Sequence, residues 1–168
     1  PWEYTGWRSE QMAWKDSCYL NSGLSIAPTY TLTGPDTLKF LDKESQDDPE
    51  KYAGFWHTFG MFIKEGATTD FTYQKDLIKL LRFESSAAEP GQLISLADYA
   101  GRMKDGQKDI YFINGPSREA IEAGPYIEAF RAGGHEIIYN YEPIDDFVFS
   151  NLGEYEGKKL VSADRAGL

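Results

Sequence analysis

The sequence predicts an α/β fold: a helical region followed by a small αβα layer with a parallel β-α-β unit. Three observations carry this. Residues 110–113 (IYFI) and 137–139 (IIY) are continuous apolar runs, as expected of strands buried on both faces. The connection between them is helical in pattern and far longer than a hairpin turn, so the two strands run parallel with a right-handed crossover. Upstream, Tyr52, Phe55, Trp56, Phe59 and Ile63 recur at helical spacing and form one apolar face.

The elements follow in order. Residues 5–16 carry Trp7, Met12 and Trp14 as a weak helical stripe, with Thr5 as its cap. Residues 18–20 are a short apolar run, and Asn21-Ser22-Gly23 has turn chemistry. Residues 29–33 alternate as a strand does. Gly34-Pro35-Asp36 breaks the strand, and residues 37–41 open a helix that the polar stretch 42–47 either continues or follows as a linker. Asp48-Pro49 is a cap followed by proline at the first helical position. The helix that starts there is expected to end at Gly66. Gly54 and Gly60 lie inside it at about 1 kcal/mol each relative to alanine, which packing against a close neighbour would offset.

Residues 70–83 give another helix with Leu77, Ile78, Leu80 and Leu81 inward, and 85–92 read as a loop of small residues. Ser95 and Asp98 form a capping-box-like start, with Asp in place of the preferred Glu. The stripe Leu96, Tyr99, Ala100 and Met103 stops before Gly106. After the first buried strand, Asn114-Gly115-Pro116-Ser117 turns into helical sequence, Gly124-Pro125 interrupts it, and Gly133-Gly134 ends it. Residues 143–152 read as a further helix and 159–162 as a short last strand.

Composition narrows the function. At 168 residues, 41% of them hydrophobic, the chain can bury a core and is expected to fold. It has no 18-residue apolar run for a membrane span and no secretory leader pattern. It opens on Pro1 without Met, as expected of a fragment. Cys18 is the single cysteine, and His57 and His135 are the only histidines, so a disulfide framework, a zinc site or a His-based triad is not expected. A formal charge of −10 argues against nucleic acid. Solubility in a cytosol or organelle matrix is the expectation. Aromatics reach 15%; a core of this size absorbs many of them, burial being the usual state and the favoured reading for any single one, and an excess would mark a contact surface.

Candidate chemistry is sparse. The turn at 114–117 lies where α/β proteins bind phosphate, but it has no G-x-G-x-x-G and no Walker lysine, and reads as an ordinary βα turn capped by Ser117. Asp47-Asp48 and Asp145-Asp146 are expected to be helix caps rather than a general acid/base pair. Ser85-Ser86 has no base nearby and reads as a solvated loop. Lys158-Lys159 reads as a solvated charge pair, Cys18 as a small buried hydrophobe, and His57 as the polar edge of its helix. Phe147, Val148 and Phe149 stand apart. Successive helical residues diverge by about 100°, so the three cannot all face one core. Either one is exposed as a protein contact beside Asp145 and Asp146, or a second layer covers it.

From about residue 38 onward the sequence resembles the middle domain of the heat shock protein 90 chaperones, especially the bacterial and organellar type. The matching stretches are LKFLDKES (38–45), DPEKY (48–52), FWHTFG (55–60), FIKEG (62–66), KLLRFESS (79–86), SLADYAGRM (95–103), QKDIYFING (107–115), PIDD (143–146) and EYEGKKLVS (154–162). The resemblance implies a fragment of an ATP-dependent dimeric chaperone, with 42–92 as the helical part and 93–168 as the small α/β part of its middle domain. ATP and magnesium belong to a domain absent here, dimerisation to another, and the loop with the catalytic arginine finds no match. So no catalytic residue and no cofactor are carried over. Client contact, with unfolded proteins and co-chaperones as partners, is carried by matched position onto Asp146, Phe147 and Ser150. Phe147 stands where relatives can have Trp or Tyr. The tract 1–41 is set apart: WRSE (7–10), WKDSC (14–18) and YTLTGPDTL (30–38) resemble the opening of folate-dependent aminomethyltransferases and demethylases of the glycine-cleavage T-protein type. That resemblance implies the alternative of a methyltransferase fragment fused to a chaperone segment.

Overall fold

The computed structural model describes residues 36–166. The readings placed on 1–35 lie outside the described residues: the helix at 5–16, the strand at 29–33, the burial of Cys18 and most of the methyltransferase resemblance. The chain divides into two compact units, Pro1–Phe62 and Ile63–Leu168.

In the first unit, α1 spans Thr37–Asp47, so the polar stretch continues the helix. Its inner side is Leu38, Leu41 and Ser45. The long helix α2, Pro49–Thr69, begins as proline at its first position requires. The Asp48 carboxylate accepts the Lys51 N–H at 3.0 Å, and the Lys51 ammonium reaches Glu44 at 2.6 Å. Tyr52, Trp56 and Phe59 are buried, and Phe55 bridges two of them, with ring centroids 5.6 Å from Tyr52 and 5.1 Å from Phe59. Gly60 has its expected neighbour: a Cβ there would meet the Trp56 indole at 2.7 Å. Gly54 has none within 4 Å.

In the second unit, α2 runs three residues past the predicted stop. Gly66 serves close approach instead of termination, because a Cβ there would sit 3.2 Å from Leu77 Cδ1. The next helix is shorter than its apolar pattern predicts: α3 is Gln74–Leu80, not 70–83. The Asp70 carboxylate accepts the backbone N–H of Thr72 at 3.0 Å and of Tyr73 at 3.2 Å, a local turn that competes with helix. At the other end Phe83 leaves the helix to exchange backbone hydrogen bonds with Ile94 at 2.9 and 2.8 Å.

The remainder is the predicted αβα layer. Strands β1 (Glu84–Ser85), β2 (Asp109–Asn114), β3 (Ile138–Asn140), β4 (Glu154–Tyr155) and β5 (Lys158–Ser162) form one sheet in the order β1-β3-β2-β5-β4. β2 is parallel to β3, with Phe112 opposite Ile138, and parallel to β5, with Ile110 opposite Leu160. The edges are antiparallel. The parallel β-α-β unit is therefore present as read. The two-residue strands β1 and β4 are additions, and β1 lies where a loop was expected.

Helix α4 (Leu96–Arg102) starts with the predicted box: Ser95 Oγ accepts the Asp98 N–H at 3.0 Å, and Asp98 accepts the Ser95 N–H at 2.8 Å. The crossover splits into α5 (Arg118–Glu122) and α6 (Pro125–Gly133) at the Gly124-Pro125 step. Gly134 closes α6 in the left-handed region at φ 65°, which favours glycine. One sheet face packs Ile113, Ile137 and Tyr139 against Ile121, Ile127 and Phe130 of this crossover. The other face is covered by α7 (Pro143–Leu152), whose Phe149 ring lies 4.6 Å from Phe112 and edge-on to Phe83 at 5.0 Å. The strands are thus buried on both faces, which explains their unbroken apolar runs.

Candidate functional site

Helix α7 carries the residues singled out for contact. Pro143 occupies its first turn, and the helix opens on a reciprocal box in which the Glu142 N–H donates to Asp145 Oδ2 at 3.1 Å. Val148 and Phe149 are each 2% exposed, and Phe147 is 66% exposed. The helical turn angle makes this a consequence: burying 148 and 149 together turns 147 outward. Of the two readings open for this triplet, exposure of one member is the one realised. Asp146 and Ser150 are also exposed, so all three predicted contact residues are accessible on one helix.

The orientation of α7 is fixed from two sides. Lys64, 4% exposed near the end of α2, forms ion pairs with Asp145 Oδ1 at 2.6 Å and Glu142 Oε2 at 2.8 Å. Its ammonium also lies 5.3 Å from the centre of the Phe83 ring, the same ring that meets Phe149. One Asp145 oxygen therefore caps the helix while the other holds a buried cation. Burial pushes the Asp145 carboxyl up from its ordinary value, and the neighbouring ammonium opposes that shift. On the other side, Asn114 Nδ2 at the end of β2 donates to Asp146 Oδ1 at 2.9 Å.

This arrangement presents an aromatic ring and a carboxylate on a rigid support. It contains no nucleophile–base pair. Asp145 and Asp146 are committed to different partners, Lys64 and Asn114. The turn at 114–117 is an ordinary βα turn: Ser117 Oγ caps α5 through the Ala120 N–H at 3.3 Å. Ser85 departs from its reading as a solvated serine. It is fully buried, donates to Glu136 Oε1 at 2.6 Å and has no histidine partner. Ser86 Oγ accepts the Ile137 N–H at 3.0 Å. The reason is β1, which draws this segment into the sheet. His57 is exposed on α2, and Lys159 is exposed on β5. Among the described residues no group of three or more His, Cys, Asp or Glu is placed to hold a metal ion, and no helix is long and apolar enough to cross a membrane.

Lys64 and Asn114 were not legible as site residues. A lysine four positions after Gly60 on an amphipathic helix has the same signature whether it snorkels to solvent or pairs inside.

A family model described as Hsp90 protein matches residues 36–168. Chaperone protein HtpG of Desulfotalea psychrophila is 58% identical over 131 residues, which cover 78% of this chain and 21% of that protein. Chaperone protein HtpG of Desulfitobacterium hafniense is 55% identical over 131 residues, again 78% of this chain and 21% of that protein. Heat shock protein 75 kDa, mitochondrial, of Bos taurus is 41% identical over 129 residues, covering 76% of this chain and 18% of that protein. The chain thus spans about a fifth of the length of these curated relatives.

Proposed function

The chain belongs to the Hsp90 family, and from that premise we propose that it is a client-binding part of the family's middle domain. It contributes a docking surface to an ATP-dependent chaperone and does no chemistry itself. ATP, magnesium and the dimer contact belong to other parts of the family's architecture. Its partners are unfolded or partly folded proteins, with co-chaperones as further ligands. A cytoplasm or an organelle matrix is the matching compartment, and relatives named as mitochondrial accord with the second.

The observation that carries this reading is Phe147: a large apolar side chain, 66% exposed, beside exposed Asp146 on a helix anchored at its first turn. Exposing such a ring gives up the stabilisation that burial would bring, about 1.5–3 kcal/mol for a Phe side chain. A contact surface accounts for that, and aromatic side chains are the usual anchors of such surfaces. The test is suppression of aggregation of an unfolded client by the chain. Phe147→Ala should lose most of that suppression while its circular dichroism and melting temperature stay unchanged. Full suppression by the variant would remove the proposal.

A further inference from the structure

We propose that the α7 surface selects client segments in which an apolar side chain is flanked by Lys or Arg. This deepens the client-binding reading and rests on it. The ten residues of α7 include two carboxylates and no cation. Asp145 is buried and neutralised by Lys64, so it presents no charge outward. Asp146 differs. It is exposed, and its Oδ1 accepts a hydrogen bond from the neutral Asn114 amide, so its charge is held in place without being cancelled. Among the described residues it has no cationic partner.

The charge of the whole chain has the same sign. The chain as a whole carries −10, which disfavours approach of acidic segments and favours basic ones. A client residue packed on Phe147 therefore places its sequence neighbours in a negative field, with the second Asp146 oxygen as a fixed acceptor. Arginine suits such a surface best, because a planar guanidinium both stacks on aromatic faces and bonds carboxylates.

The experiment uses three unstructured peptides with identical apolar residues, flanked by Arg, by Ser or by Glu. Binding to the 168-residue chain is followed by fluorescence anisotropy at low and high salt. The Arg peptide should bind tightest, the Ser peptide about threefold weaker and the Glu peptide weaker still, with the spread closing as salt rises. Asp146→Asn keeps an oxygen for Asn114 and removes the charge, and should bring the Arg peptide to the level of the Ser peptide. Phe147→Ala should weaken all three. Equal binding of the three peptides that still depends on Phe147 would overturn the charge selection and leave the client-binding reading standing. Absent binding, or binding indifferent to Phe147→Ala, would overturn both.

Discussion

Lys64 shows how one side chain can hold a helix start. A buried ammonium is tolerated here because two carboxylates and an aromatic face surround it. Breaking such a pair from one side is expected to cost about 3 kcal/mol, since the partner charge stays buried. Lys64→Met should therefore destabilise by that order in urea unfolding at neutral pH. The loss should shrink in acid, where Asp145 takes up a proton. A pH-independent loss would assign the effect to packing alone. Glu84 shows the opposite shift. Burial by itself would raise its carboxyl, but hydrogen bonds from Arg118 and from Tyr141, the latter at 2.7 Å, outweigh that and hold it below the ordinary range. A depressed carboxyl stabilises the fold above its ordinary value, and that contribution is lost as pH falls through the lowered one. Glu84→Gln should cost about 2 kcal/mol at pH 7, and the gap to the parent chain should close as pH drops below about 4. An unchanging gap between pH 7 and pH 3 would refute the assignment.

At the level of elements, local chemistry accounts for the starts and stops that were read correctly. The Ser95/Asp98 box, Asp48-Pro49 and Gly134 each act within one turn of chain, so a single sequence displays them. Ser95→Ala should lower stability by about 1 kcal/mol, seen as a smaller urea midpoint at an unchanged slope. A midpoint that does not move would mean the box contributes nothing net. Tyr99 belongs to α4 but acts across elements. Its hydroxyl donates to the Glu136 carbonyl at 2.7 Å and accepts the Tyr111 N–H at 3.0 Å, and burial raises its phenol to about 12. Sequence pattern and structure part company where partners are distant. β1 and β4 have two residues each, too few to show a period, and exist because β3 and β5 offer edges. Gly66 looked like a stop because its signal is the same for a cap and for close approach.

On the scale of the molecule, the sheet, its two helical covers and the site all lie within the unit Ile63–Leu168. Removing residues 1–35 should leave the main unfolding transition, followed by circular dichroism at 222 nm, close to that of the full chain. Loss of the transition would place the N-terminal tract in the same cooperative core. The sequence by itself determined the α/β class, the parallel pair of strands and the helix caps, because each follows from local periodicity or spacing. Tertiary structure decided which member of the 147–149 triplet faces outward, that Lys64 is a buried anchor, and that Asn114 braces Asp146. Those outcomes depend on what a helix meets across space, and no spacing along one chain encodes that.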